Sequence, residues 1–65
     1  MAMPTREDVE QLVSRLWPRA EDVRAIPVSG GFHIRLRIGA RELDRTAIIQ
    51  DTSLWKVAVA GALSM

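Results

Sequence analysis

The chain has no cysteine, tyrosine or asparagine, and histidine, phenylalanine and lysine occur once each, as His33, Phe32 and Lys56. Without thiols there is no disulfide framework, no thiol nucleophile and no thiolate metal site, so packing and association must hold the fold. A metal site would need His33 together with carboxylates such as Glu42, Asp44 or Asp51, which show no ligand spacing. Ser29, Ser53 and Ser64 occupy turn or tail positions, with a single histidine to act as their base. Ser29-Gly30-Gly31 has no helix start after it and reads as a turn rather than a phosphate loop. No catalysis, metal, cofactor or small-molecule substrate is therefore expected.

Long apolar runs are missing too. The most apolar stretch, Leu54 to Met65, is shorter than the ~20 residues that span a bilayer and carries Lys56 near its start. Met1-Ala2-Met3-Pro4 lacks the basic-then-apolar pattern of a secretory signal, so the expectation is a cytoplasmic protein with no membrane partner. Sixty-five residues make one small domain, 1–65. A domain of this size buries only ~60% of its unfolded surface, which favours association. A formal net charge of +1 gives no general grip on a polyanion. Eight of the nine basic residues are arginine. That bias reads first as the coding preference of a GC-rich genome and second as a use of the arginine fork.

The residues present define an α+β domain. Thr5 and Asp8 form a capping-box pair, and Val9, Leu12, Val13, Leu16 and Trp17 recur on one helical face, predicting a helix over 5–17 that ends before Pro18. Val23 to Val28 is strand-like, with Pro27 confining it to an edge or bulge. Ser29-Gly30-Gly31 then turns the chain into Phe32 to Ile38, which alternates strictly: Phe32, Ile34, Leu36 and Ile38 on one side, His33, Arg35 and Arg37 on the other. Gly39-Ala40 breaks this strand, Arg41 to Arg45 reads as a charged connection, and a further strand is expected around Thr46 to Gln50. Glu42 and Asp44 read as solvated partners of Arg41 and Arg45 in that connection, and Trp17 and Trp55 as core residues.

Residues 54–64 admit two readings. The Trp-Lys-Val-Ala-Val-Ala alternation favours a last strand, giving one amphipathic helix packed on a three- to four-stranded antiparallel sheet. A helix capped by Ser53 is the alternative, and gives the order α-β-β-β-α. That is the order of double-stranded-RNA-binding domains. Gly30-Gly31-Phe32-His33 lacks the proline of their Gly-Pro-x-His loop, and Thr52 to Lys56 offers one lysine where they carry several, so the likeness is one of order alone and no binding residue is carried over.

The candidate surface is the basic side of the alternating strand. A one-sided sheet needs a polar outer face in any case, but three basic positions without an acid among them read as a one-sign patch. Changing Arg35 and Arg37 to glutamate is expected to spare the fold. Exposed aromatics for base stacking are absent from this face, so an acidic protein surface fits better than nucleic acid. The expectation is a small non-catalytic protein-interaction module: an accessory, regulatory, inhibitory or structural component of a larger bacterial or phage assembly. It would bind a protein partner, itself or both, through His33, Arg35, Arg37, Trp55 and Lys56. A nucleic-acid-binding domain using the basic sheet face is the alternative.

Overall fold

The Thr5 N–H donates to Asp8 Oδ2 and the Asp8 N–H to Thr5 Oγ1, both at 3.1 Å, so the expected capping box starts helix α1 (Arg6–Leu16). The computed structural model describes residues 3–64, so residues 1, 2 and 65 of the expected 1–65 domain lie outside the described residues. Strands β1 (Glu21–Val28), β2 (Gly31–Ile38) and β3 (Arg41–Ile48) follow, then a 3₁₀ turn (Thr52–Leu54) and helix α2 (Trp55–Leu63). The sheet is an antiparallel meander in the order β1-β2-β3. Glycines with positive φ make the two hairpin turns, Gly30 at 80° and Gly39 at 61°.

The strand in the middle carries the core. Phe32, Ile34 and Leu36 of β2 are buried together with Ala25 of β1, Ala47 of β3 and Ile49. Val9 and Val13 of α1 and Val59 and Leu63 of α2 close over them, so both helices cover the same face. Trp17 and Trp55 are half-buried against this cluster. Leu16, expected in the buried stripe of α1, is exposed at the last residue of the helix. Gly31 is needed for a different reason from the turn glycines: a Cβ there would overlap the carbonyl oxygen of Ala47, so β2 and β3 approach closely at that point.

The α+β class holds, and two expectations need correction. The expected last strand over 54–64 is helix α2, the alternative layout. A valine–alanine alternation also places Trp55, Val59 and Leu63 at helical spacing, and alanine is the best helix former. A helix apolar all round is hard to bury in so small a domain, and α2 leaves Val57 exposed at 67%. The expected connection Arg41 to Arg45 is the first half of β3, and the strand ends at Ile48 rather than Gln50. Glu42 and Asp44 face outward, while Arg41 and Arg45 share the other face with Leu43, which packs against the core.

Two substitutions test this division of the apolar residues. Ile34→Ala empties a fully buried site on the central strand and is expected to cost about 2–5 kcal/mol in urea denaturation. Val57→Ala is expected to stay within about 0.5 kcal/mol of the parent.

Candidate functional site

The strand register decides what surrounds the basic side of β2. His33 stands between Ile26 and Thr46, Arg35 between Arg24 and Asp44, and Arg37 between Glu21 and Glu42. Arg35 Nε donates to Asp44 Oδ1 at 3.2 Å, and His33 Nε2 lies 3.7 Å from the same oxygen. Arg37 reaches Glu21 at 2.9 Å and Asp22 at 3.2 Å. Its guanidinium is pushed up from its ordinary value, mainly by the hydrogen bond to Glu21 and then by the nearby Asp22 charge. Asp22 reaches it from a β-bulge between Glu21 and Arg24, with its own φ at 53°.

The expected one-sign patch is therefore a mixed one. Arg24, Arg35 and Arg37 supply three positive charges, and Glu21, Asp22, Glu42 and Asp44 four negative ones. Glu42 and Asp44 are not loop partners of Arg41 and Arg45 but cross-strand neighbours of Arg37 and Arg35. Beyond His33 the outer face turns apolar, with Ile26, Val28 and Ile48 exposed around Gly31. The remaining candidates, Trp55 and Lys56, are elsewhere. They lie beside α1, near Asp8, Gln11 and Arg15, with Lys56 Nζ 5.8 Å from the Trp55 ring centroid. The five candidate residues form two separate groups on different elements.

The sheet edges differ in a way that hydrogen-bond parity makes explicit. The Ile49 N–H donates to the Gly30 carbonyl at 2.8 Å, so in the regular β2–β3 ladder the odd residues of β3 bond inward. The backbone groups of Glu42, Asp44, Thr46 and Ile48 point away from the sheet, where no further strand lies among the described residues. The Asp44 carbonyl accepts from Arg45 Nη1 at 2.8 Å on this open side.

On β1 the same parity turns Ala25 and Pro27 outward. The Ala25 N–H donates to Glu10 Oε2 of α1 at 2.9 Å, Pro27 has no N–H, and the bulge ends the regular ladder. β1 is thus a sealed edge and β3 an open one. Sequence reasoning found Pro27 but missed Glu10, whose position on the polar face of α1 gives no hint of a partner fifteen residues away. The outward row of β3 was visible in principle as the alternation Glu42, Asp44, Thr46, Ile48.

Among the described residues, no group of three histidine, aspartate or glutamate side chains could hold a metal ion, and no helix is long and apolar enough to cross a membrane. No family model matches the chain, and neither the curated proteins nor the solved structures include a match.

Two measurements follow from these contacts. Arg35→Glu/Arg37→Glu places two new carboxylates among Glu21, Asp22, Glu42 and Asp44, so the urea midpoint should fall, more than for the glutamine pair, and recover with added salt. The earlier expectation that this double change spares the fold is revised on that ground. At the entrance to α2, Asp51 Oδ1 accepts from the Ser53 hydroxyl at 2.7 Å and the Ser53 N–H at 3.0 Å. The side-chain bond, then the backbone bond, holds its carboxyl below the usual value of 3.8. A depressed folded pKa contributes stability above the unfolded value, and that contribution is lost as pH falls through the folded one. NMR titration of Ser53→Ala should move Asp51 back toward its ordinary value.

Proposed function

We propose that this chain is a small non-catalytic protein-interaction module, and that it binds through β3 and the apolar residues beside it. The observation that carries this reading is the contrast between the edges: three separate features close β1, while among the described residues β3 carries only the exposed Arg45 Nη1 bond to the Asp44 carbonyl and no proline, bulge or helix carboxylate. An open, regular edge is a template for an added strand, with main-chain hydrogen bonds supplying affinity and alternate side chains selectivity. Exposed apolar side chains gather on the same side. Lys56 lies toward α1, so Leu54 and Gly61 fall on the opposite flank of α2, with Val57 between that flank and solvent. Ile48, at 54% exposure, sits at the end of β3 nearest to them.

The arginines of β2 support a protein partner over nucleic acid, because Arg35 and Arg37 are already engaged by carboxylates. The small size and the lack of a catalytic constellation in the sequence are the ground for expecting a bacterial or phage assembly, with the cytoplasm as its place of action.

The test compares complexes recovered with the tagged chain from its own cell. Thr46→Pro removes an outward N–H and breaks no β2–β3 backbone bond, losing only the exposed 3.2 Å contact of the Thr46 hydroxyl with His33 Nδ1, and it should weaken the defined complex about tenfold or more. Arg35→Gln/Arg37→Gln should leave the complex intact. The reverse pattern would return the function to the arginine positions, and salt-sensitive retention of polynucleotide by those arginines would establish the nucleic-acid reading.

A further inference from the structure

The open edge raises the question of which strand it is built to receive, and β3 itself supplies a constrained answer. In an antiparallel pair of two β3 strands related by a two-fold axis, each register is named by the residue that meets itself. Facing outward are Glu42, Asp44, Thr46 and Ile48, followed by Gln50; facing the helices are Arg41, Leu43, Arg45, Ala47 and Ile49.

Centring on Leu43 sets Glu42 against Asp44 and Arg41 against Arg45. Centring on Asp44 opposes two aspartates, and centring on Arg45 opposes two arginines. Centring on Thr46 opposes no like charges: Thr46 meets Thr46, Asp44 meets Ile48, Glu42 meets Gln50, Arg45 meets Ala47, and Leu43 meets Ile49. Centring on Ala47 also avoids like charges but engages a shorter length of strand. Like charges directly opposite destabilise a sheet, and threonine pairs stabilise it.

Parity is satisfied in this arrangement, as in any residue-centred register. Thr46, Asp44 and Ile48 carry the outward backbone groups, so Thr46 bonds its own copy, and Asp44 bonds Ile48. The Ile48 N–H then takes over the Asp44 carbonyl from Arg45 Nη1, an exposed contact at 2.8 Å. The helices agree as well. α2 packs against β3, so the two-fold places both α2 helices on the same face of the joined sheet. Leu54 and Val57 are exposed, and a Cβ at Gly61 would meet nothing within 4 Å, so this flank of α2 is open to a second copy.

We infer that the partner of the β3 edge is a second copy of this chain, joined in the Thr46-centred register to form one continuous antiparallel sheet with all four helices on a single face. This rests on the interaction reading given above and names the occupant of the same edge.

The absence of cysteine makes single-cysteine crosslinking of the full chain a clean probe. Residues paired across the axis have Cα atoms about 5.5 Å apart, within disulfide reach. Thr46→Cys should therefore form a covalent dimer on mild oxidation. Glu42→Cys should not, because the two copies of residue 42 are about 27 Å apart along the strands at 3.4 Å per residue. Sedimentation should give a dimer for the parent chain at high micromolar concentration and a monomer for Thr46→Pro, with circular dichroism showing both folded. A parent chain that stays monomeric, or crosslinking equal at both positions, would overturn the inference. Loss of the native complex in Thr46→Pro under either result would keep the open-edge reading and assign the edge to another protein, whereas a native complex indifferent to Thr46→Pro would remove that reading itself.

Discussion

The alternation of β2 is the constraint from which the rest of the structure takes its place. One row of the strand, Phe32, Ile34 and Leu36, cannot remain in water, and the other, His33, Arg35 and Arg37, cannot be buried unpaired. The first row demands a cover, which neither helix supplies alone: Val9 and Val13 close one part and Val59 and Leu63 another. The second row demands counter-charges, and they arrive from both neighbouring strands and from the bulge at Asp22. A slip of one residue would exchange the rows, so core and surface specify the register jointly.

Much of this was legible because it is local. The capping box, the stripe of α1, the turn at Ser29-Gly30 and the alternation of β2 each lie within a short window, and the structure has all of them except Leu16 in the stripe. β3 was read short because edge strands tolerate charge, and Arg41-Glu-Leu-Asp-Arg45 resembles a loop unless its single inward leucine is given weight. For α2, valine–alanine alternation satisfies both the strand and the helix period, so only propensity and the uncovered part of the sheet could decide. The sign of the outer face was not legible at all, since it depends on which residues of β1 and β3 stand beside Arg35 and Arg37.

The two ends of the outer face have different characters. Around Arg37 it is a lattice of mutually satisfied charges, whose pairs are exposed and individually weak. Around Gly31 it is apolar and low, because the close approach of β2 to the Ala47 carbonyl admits no side chain there. The polar half keeps this surface in water, and the side of the molecule beside β3 and α2 is left as the place where apolar surface and unpaired backbone coincide.

The seal on β1 has a consequence for assembly size. A strand-pairing molecule with two open edges has a valence of two and can grow without limit, as fibrils do. Glu10, Pro27 and the Asp22 bulge reduce that valence to one, so the pairing proposed for β3 would terminate at the first partner. The carboxylate of Glu10 holds a single amide at 2.9 Å, and in the proposed pairing it and its two companions would separate a finite particle from an open-ended polymer.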